Sequence, residues 1–502
     1  MYKIFHGFHL VEAYQDLKKA KRLAKNQAVA RCIKLTIAIT LSLILWFLPI
    51  DTFGIEGLTV IEQRLISIFI FATLMWVFEA VPAWTTSVLI VVLLLLTVSD
   101  SSLWFLTQNT PAEELGQTVK YKSILHCFAD PIIMLFIGGF ILAIAATKSG
   151  LDVLLARVML RPFGTQSRYV LLGFILVTAV FSMFLSNTAT AAMMLTFLTP
   201  VLKALPADGK GKIGLAMAIP VAANVGGMGT PIGTPPNAIA LKYLNDPEGL
   251  NLNIGFGEWM SFMLPYTIIV LFIAWFILLR LFPFKQKSIE LQIEGEAKKD
   301  WRSIVVYITF AITVLLWMFD KFTGVNSNVV AMIPVAVFCI TGVITKRDLE
   351  EISWSVLWMV AGGFALGVAL QETGLAKHMI EAIPFSTWPP VLMIVGSGLI
   401  CYAMANFISH TATAALLVPI LAIAGISMRE NLSSLGGVET LLIGVAIGSS
   451  LAMILPISTP PNALAHGMIQ QKDMEKVGII MGIIGLILGY TMLIILGSNK
   501  LL

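Results

Sequence analysis

The chain contains little charge. Asp, Glu, Lys and Arg make up 12% of its 502 residues, whereas they make up about a quarter of a typical soluble domain. Hydrophobic residues account for 57%, and the mean hydropathy is +0.87. The polar stretches between apolar runs are too short to fold as soluble domains. We therefore expect an all-α polytopic membrane protein, with membrane lipid around it and no nucleic-acid partner.

Cysteine is scarce, and it follows no metal-binding pattern. The four cysteines, at positions 32, 127, 339 and 401, lack CxxC or CxxH spacing. The sequence thus predicts neither a metal cofactor nor a disulfide framework. We expect these side chains to pack as small hydrophobic groups.

The N-terminal residues do not resemble a cleavable signal peptide. Residues 1–34 contain eight Lys or Arg, and the first long apolar run begins only near Leu35. We expect 1–34 to be a cytoplasmic amphipathic segment whose basic residues lie near anionic lipid headgroups. A merely solubilising arm is the alternative.

Eleven apolar runs read as membrane-spanning helices. They lie near 35–50, 64–80, 84–98, 129–147, 212–241, 258–282, 303–319, 327–345, 354–370, 437–468 and 476–497. The first run and its connection occupy 35–63. The others fall into two groups, 64–282 and 303–497, which a cytoplasmic linker at 283–302 joins.

Two further apolar stretches, 168–204 and 389–424, carry a polar phrase at their middle. Two full spans would need about 40 apolar residues and a turn exposed to water, so we expect two re-entrant hairpins with half-length arms. The stretches 148–167 and 371–388 carry charges at helical intervals. They are expected to form helices that lie in the membrane interface.

Basic residues fall on one side of this arrangement. With the N-terminus inside, the cytoplasmic segments are those with basic clusters, at 148–168, 203–212, 285–302 and 346–347. The segments assigned outside are mixed or acid-leaning, at 99–122, 242–256 and 371–388. The positive-inside rule then predicts a cytoplasmic N-terminus and a multi-pass protein of a bacterial plasma (inner) membrane.

Three sequence matches reveal an internal repeat. GGFILAIAATKSGL at 138–151 matches GGFALGVALQETGL at 362–375, and SNTATAA at 186–192 matches SHTATAA at 409–415. PIGTPPNAIA at 231–240 matches PISTPPNALA at 456–465, so the three offsets are 224, 223 and 225. Corresponding elements lie five spans apart, and an odd number predicts two copies of inverted topology. Such folds bind substrate near the midplane, between broken helices.

A proline pair lies inside one long span of each copy. Pro235 and Pro236 fall within 212–241, and their counterparts Pro460 and Pro461 fall within 437–468. Proline removes backbone donors, so we expect broken helices whose free carbonyl groups can face an ion. An ordinary proline kink without a ligand is the alternative.

The polar phrases are predicted to form the hairpin tips. Their hydroxyl and amide groups, without a buried carboxylate beside them, suit an anion, whereas a purely structural role between packed helices is the alternative. The spans contain almost no acidic residue at mid-depth, unlike the relay of a cation pump. His410 replaces the Asn187 of the first copy. We expect it to contact substrate or to provide charge, although a packing role is the alternative.

With these motifs the chain resembles the divalent anion:sodium symporters, which carry di- and tricarboxylates or sulfate. The resemblance covers essentially the whole chain. It implies a homodimer and a transport domain that carries the site across the membrane like an elevator. Substrate is then expected on Asn187, Thr188, Thr234, Thr411, Thr459 and Pro460, with Ser409 and His410 beside them. The first sodium site would use Ser182, Ser186, Asn187 and Gly233.

The chain departs from the family at the second sodium site. The position four residues before the second motif holds Ala405, which has no side-chain oxygen, and the motif's Asn is His410. A hard cation needs oxygen ligands, so we predict that this site is lost and that Na⁺ is possible at the first site only. A carrier with a fixed charge should move only when loaded. The prediction is an exchanger of dicarboxylates, and sodium symport is the alternative.

Two other classes fit less well. Ser409 beside His410 could imitate a nucleophile and its base, but no GxSxG context is present and a hydrolase would not explain a duplicated site. A channel would be lined by charge rings or a carbonyl filter. We therefore expect a transporter and no enzyme.

Overall fold

A computed structural model describes residues 28–108, 110–205, 209–247, 249–289, 298–382 and 387–499. Most of the predicted segment 1–34 lies outside the described residues. Its last part, from Ala28, already belongs to the first helix, Ala28–Phe47, which the sequence analysis starts at 35. The helix can begin earlier because long basic side chains reach polar groups at its margin. Lys34 donates to the carbonyl oxygen of Phe78 at 2.7 Å.

The predicted all-α architecture is confirmed. The described residues form helices and no named strand, and two isolated bridges join Ser99 to Val119 and Gln166 to Ser288. Numbered in chain order, the main helices are α1 Ala28–Phe47, α2 Val60–Phe78, α3 Ala83–Thr97, α4 Pro131–Ser149, α5 Leu151–Leu160, α6 Ser167–Phe184, α7 Asn187–Ala204, α8 Lys210–Gly227, α9 Pro235–Leu244, α10 Phe256–Leu281, α11 Trp301–Met318, α12 Ser327–Ile340, α13 Trp354–Glu372, α14 Leu375–Ala382, α15 Leu392–Ala405, α16 His410–Ser427, α17 Gly437–Ser450, α18 Pro460–His466 and α19 Gln471–Ser498. Short helical turns lie at Ile50–Phe53, Trp104–Leu106, Ala112–Leu115, Tyr121–His126, Cys127–Ala129, Arg161–Phe163, Asp320–Thr323, Lys346–Glu350, Arg429–Leu432 and Ser433–Leu435.

All eleven predicted spans coincide with a helix or a broken helix. Within the described ranges, nine helices are long and apolar enough to cross a membrane, namely α1, α2, α4 with the turn before it, α6, α10, α11, α13, α16 and α19. α3, α12 and α15 are apolar but shorter. Non-helical breaks at 228–234 and 451–459 separate α8 from α9 and α17 from α18.

Each predicted hairpin consists of two helices around its polar phrase. α6 and α7 are separated by Leu185 and Ser186, and α15 and α16 by residues 406–409. α6, α7 and α16 each have 18 residues, which corresponds to about 27 Å. The prediction of half-length arms was therefore wrong for α6, α7 and α16, whereas α15 is shorter than a full span. Since α6 and α16 are long enough to span, re-entry stays a prediction.

The two repeats pack in the same way. In the first, α8 contacts α6, α7 and α10; in the second, α17 contacts α15, α16 and α19. Residues 214–227 of α8 and 440–450 of α17 are all buried. The central helix of each repeat is thus surrounded by protein, and it leads directly into the break that follows.

Candidate functional site

The second helix of each hairpin contacts the broken helix of the other repeat. α7 of repeat 1 contacts α18 of repeat 2, and α16 of repeat 2 contacts α9 of repeat 1. α8 also contacts α18, and α9 also contacts α17. The two predicted half-sites are therefore interleaved, and each contains groups from both repeats.

The serine of each polar phrase caps a helix. The hydroxyl oxygen of Ser186 accepts a hydrogen bond from the backbone N–H of Ala189 at 3.2 Å, at the start of α7. Ser409 makes the equivalent bond with the N–H of Ala412, also at 3.2 Å. A hydroxyl at this position satisfies one of the free donors of the first turn. The phrase therefore starts a helix as well as supplying polar groups.

The proline pairs begin helices instead of interrupting them. Pro235 and Pro460 are the first residues of α9 and α18. Proline is tolerated there because the first N–H groups of a helix have no partner within it. A break accompanies each pair, as predicted, but it lies before the prolines.

An asparagine that follows the prolines holds each break. The amide nitrogen of Asn237 lies within 3.3 Å of three carbonyl oxygens of the first break, those of Gly227, Met228 and Thr230. Asn462 donates to the matching carbonyl groups of Met453 at 2.9 Å and Leu455 at 3.0 Å. Both residues belong to the TPPN motif, whose sequence alone predicted no role for them.

The first half-site gathers oxygen atoms around Asn187. The hydroxyl of Ser182, at the end of α6, donates to the carbonyl oxygen of Ala223 at 2.7 Å. The Asn187 side-chain amide lies 2.6 Å from the same hydroxyl oxygen and 3.0 Å from the carbonyl oxygen of Gly233. Gly227 and Gly233 pack so closely that a Cβ on Gly233 would lie 2.4 Å from the Gly227 carbonyl oxygen. Only glycine allows this approach.

The Asn187 amide has two possible orientations, with different chemistry. With its nitrogen towards Gly233, it donates to that carbonyl group and to Ser182. With its oxygen there, it joins the oxygens of Ser182, Ala223 and Gly233 in one cluster. Clustered neutral oxygens are the ligands that a hard cation needs. These oxygen atoms therefore suit the predicted first sodium site. The Ser186 hydroxyl, which was also predicted there, caps α7 instead.

The second half-site has different chemistry. Ala405, fully buried, takes the place of Ser182. His410 is buried as well, and its Nε2–H donates to the carbonyl oxygen of Ala452 at 2.7 Å. Ala452 is the counterpart of Gly227, 225 residues earlier. An imidazole N–H thus donates a hydrogen bond to a carbonyl group of the second break.

Asn406 adds a contact that the first repeat lacks. Its side-chain oxygen accepts from the N–H of Ile454 at 2.8 Å, and its nitrogen donates to the carbonyl oxygen of Tyr402 at 2.8 Å. The matching residue of the first repeat is Met183. The only sequence signal for Asn406 is an amide within an apolar stretch.

The predicted substrate residues differ in exposure. Thr188 and Pro460 lie at the surface, whereas Thr234, Thr411 and Thr459 are buried. The helices that contain or follow these residues contact each other in two pairs, α7 with α18 and α9 with α16. In the described part of the chain, no hydrogen bond joins one of these threonines to another.

A cleft of about 950 Å³ lies beside the first break, away from Asn187 and His410. Its lining includes Lys242 of α9 and Asp130 at the start of α4, which form an ion pair at 2.7 Å. Asp320 accepts from the N–H of Phe256 at 2.6 Å, at the start of α10. This cleft is bordered by connections that the charge pattern assigns outside.

Comparison with known proteins is consistent with this arrangement. Residues 29–499 match the sodium:sulfate symporter transmembrane region. The chain belongs to the divalent anion:sodium symporter family. This family membership confirms the predicted resemblance, and it makes the chain a multi-pass membrane transporter and no enzyme.

Three proteins illustrate what this symporter-family chain is similar to. An uncharacterized transporter of Haemophilus influenzae is 31% identical over 93% of this chain and 98% of its own length. The sodium-dependent dicarboxylate transporter SdcS of Staphylococcus aureus is 29% identical over 84% of this chain and 85% of its own length. The crystal structure of the Alcanivorax borkumensis YdaH transporter superposes with a TM-score of 0.53 at 14% identity, over 83% of this chain and 98% of that one. This last likeness concerns the fold alone.

Proposed function

We propose that the chain is a secondary active transporter of C4 and C5 dicarboxylates such as malate, succinate, fumarate and 2-oxoglutarate, and that it works as an exchanger. The dicarboxylate part is supported by the similarity to SdcS, a sodium-dependent dicarboxylate transporter. We further propose an elevator-type movement in a homodimer, in a bacterial plasma membrane with the N-terminus in the cytoplasm.

The chemistry of the interleaved half-sites supports an anionic substrate. α7, α9 and α16 begin at the polar phrases or at the prolines, and the N-terminus of a helix favours negative charge. Asn187, Thr188 and Thr411 contribute neutral polar groups at these starts. Since no carboxylate stands among these residues, the substrate carboxylates meet no like charge.

The observation that carries the exchanger proposal is the hydrogen bond from His410 to Ala452. In the first half-site, the hydroxyl of Ser182 and the amide of Asn187 lie beside the carbonyl oxygens of Ala223 and Gly233. In the second, the hydroxyl is replaced by the methyl group of Ala405, and the carbonyl group of Ala452 already accepts from an imidazole N–H. A sodium ion there would lie beside an N–H donor and would lack the hydroxyl ligand. We therefore infer that the second sodium site is lost.

The same bond determines how His410 meets a substrate. Because Nε2 carries the hydrogen that Ala452 accepts, Nδ1 is the ring atom left for a further contact. Nδ1 can donate to a carboxylate only when the ring is an imidazolium ion. A carboxylate can accept a hydrogen bond from Nδ1 only beside a positive ring, and we propose that the ring keeps this charge in the empty carrier, where it replaces the charge that sodium would bring.

Exchange follows from the cost of moving an unbalanced charge. A carrier whose site contains a positive imidazolium without an anion would expose that charge to a low-dielectric environment, which is unfavourable. The loaded carrier is balanced and moves. Such a transporter returns only with another dicarboxylate bound, which is obligatory exchange.

Sodium symport is the second candidate, and one observation favours it. The first half-site retains the oxygen set of Ser182, Asn187, Ala223 and Gly233. One bound Na⁺ at this position could couple uptake to the sodium gradient. Symport then needs no ion at the second half-site.

Reconstituted protein distinguishes the two candidates. Uptake of radiolabelled succinate is measured in proteoliposomes with or without internal unlabelled succinate, in sodium and in choline medium. Exchange predicts uptake that requires internal succinate and is unchanged in choline. Uptake into empty vesicles that requires a sodium gradient would instead establish symport.

A further inference from the structure

One buried amide connects the first repeat to a predicted substrate residue of the second. Asn224, in α8 of repeat 1, is 1% exposed. Its amide nitrogen lies 3.2 Å from the hydroxyl oxygen of Thr459 and 3.3 Å from the side-chain oxygen of Asn462. Nothing in its sequence neighbourhood predicts this contact, because the partners are more than 230 residues away.

The neighbouring bonds determine which atom of each amide donates. Asn462 donates through its nitrogen to the carbonyl groups of Met453 and Leu455, so its oxygen faces Asn224 and must accept. Asn224 must therefore present its nitrogen to Asn462 and Thr459. Each of its two hydrogens has one acceptor.

These bonds leave the Thr459 hydroxyl able to donate one hydrogen bond but not to accept another. A hydroxyl oxygen can accept two hydrogen bonds and donate one. Thr459 accepts from the backbone N–H of Asn462 at 3.3 Å and from Asn224. Both acceptor positions are then filled. Among the described residues no acceptor takes its hydrogen, so what Thr459 offers a ligand is a donor.

The first repeat has no equivalent arrangement. Thr234, the counterpart of Thr459, makes no capping bond with its side chain. The residue that matches Asn224 is Ser449, which donates to the carbonyl oxygen of Val445 and lies 2.9 Å from the sulfur of Cys401. Consistently, the side-chain oxygen of Asn237 has no partner in the described ranges. Only one of the two threonines is therefore fixed as a donor.

We propose that Asn224 is a positioning residue that fixes the Thr459 hydroxyl as a hydrogen-bond donor to a carboxylate oxygen of the substrate. The proposal rests on the proposed anion transport. It assigns to repeat 1 a residue that sets the specificity of the repeat 2 half-site. A fixed donor favours an anionic oxygen over a group that itself donates, because such a group would leave two hydrogens facing each other.

A double-mutant cycle on the full-length protein in proteoliposomes tests this role. Thr459→Val removes the hydroxyl and keeps the shape, whereas Asn224→Leu removes the donor. For succinate exchange, each single variant is expected to raise the KM about tenfold, since a hydrogen bond to a charged group is lost. Vmax should change less. The double variant should raise the KM no further than either single variant.

Two further variants complete the design. Thr459→Ser retains a hydroxyl, so its KM should stay near that of the wild type and should rise when Asn224→Leu is added. Ser449→Ala removes the matched side chain of the other repeat and should leave the KM unchanged. If Asn224→Leu does not fold, as judged by its elution in detergent, Asn224→Ser takes its place in the cycle.

The outcomes separate this inference from the proposed function. KM effects that multiply in the double variant, or an Asn224→Leu effect on Vmax alone, would show a merely structural role and would overturn the inference. Wild-type protein that does not exchange succinate would contradict the proposed function. In that case the double-mutant cycle measures how much succinate or sulfate raises the melting temperature of each variant. Coupling between Asn224 and Thr459 supports the inference, and its absence overturns it.

Discussion

At the scale of single residues, the two half-sites differ at the two aligned positions whose side chains were predicted as sodium ligands. Ser182 and Asn187 of the first correspond to Ala405 and His410 of the second. The first pair places a hydroxyl and an amide beside the carbonyl groups of Ala223 and Gly233, and the second places a methyl group and an N–H donor at the matching positions. In the proposed function, these two substitutions account for the loss of the second sodium site.

Restoring both residues should restore a sodium response. We expect the double variant Ala405→Ser, His410→Asn to take up succinate faster in sodium than in choline, by about tenfold, because a hydroxyl and an amide oxygen return as ligands. Uptake into vesicles without internal succinate is the measurement. The single variant Ala405→Ser is the control, since His410 still occupies the Ala452 carbonyl group. A double variant as indifferent to sodium as the wild type would contradict the explanation.

Residue types alone predicted part of the site. The polar phrases and the TPPN motifs were visible as repeats, and the structure brings them together across the two repeats. Asn224 and Asn406 were not predicted, because their partners are distant in sequence and a single amide in an apolar helix has many possible roles. The capping role of Ser409 was visible in principle, since a serine three residues before the bonded N–H is a common cap.

At the scale of elements, the breaks depend on Asn237 and Asn462. Each break contains backbone carbonyl groups that have left the helical ladder, and a buried carbonyl group without a partner is unfavourable. The two amides satisfy several of these groups at once. The sequence predicted where the breaks occur but not what stabilises them.

Removing either amide should destabilise the protein. We expect Asn237→Ala and Asn462→Ala each to reduce the free energy of unfolding by about 2 kcal/mol, since buried carbonyl groups lose their donors. Asn462→Ala should cost more, because its oxygen also accepts from Asn224 whereas that of Asn237 has no described partner. Denaturant unfolding in detergent is the measurement. Asn499→Ala, an exposed site, is the control.

A polar contact joins the last turn of α4 to the turn Lys346–Glu350. Lys148 donates to Asp348 at 2.6 Å, and the Asp348 carboxylate also accepts from the N–H and the hydroxyl of Thr345. Burial opposes ionisation of Asp348, but these donors and the Lys148 charge hold its pKa below the usual value. The folded state therefore binds this proton less readily than the unfolded state does.

This shift predicts a pH dependence of stability. A lowered pKa contributes stability that is present above the unfolded value of about 3.9 and is lost as the pH falls through the folded value. Asp348→Asn should therefore lower the melting temperature at pH 7. The difference from the wild type should shrink as the pH falls below about 4. A difference that stays constant down to pH 3 would show that the charge of Asp348 contributes nothing.

At the scale of the whole molecule, matched positions of the two breaks differ in exposure. Ile457, in the second break, is 66% exposed, whereas its counterpart Ile232, in the first, is 8% exposed and lies beside Gly139 of α4. The charge pattern places the second break in the cytoplasmic half and the first in the outer half. Ile457 is thus accessible in the second break, whereas Ile232 is packed against α4 in the first.

Inverted repeats give this difference a functional meaning. If both repeats can adopt both conformations, exchanging them buries Ile457 and exposes Ile232 on the opposite side, which is alternating access. The ion pair of Lys242 with Asp130, from α9 to α4, would break in that exchange. The outward-facing and inward-facing states would therefore each have their own set of contacts between the repeats.

Cysteine labelling tests this reciprocity. In a background with Cys32 and Cys339 replaced by Ser, Ile457→Cys should react with a membrane-impermeant maleimide in inside-out vesicles, and Ile232→Cys should react more slowly in right-side-out vesicles. Adding Lys242→Met removes the ion pair, so labelling of Ile232→Cys should accelerate while that of Ile457→Cys slows. Two rates that rise together would indicate local loosening instead of an exchange of conformations. Equal labelling of both positions from one side would contradict the inverted topology, because matched positions of inverted repeats open to opposite sides.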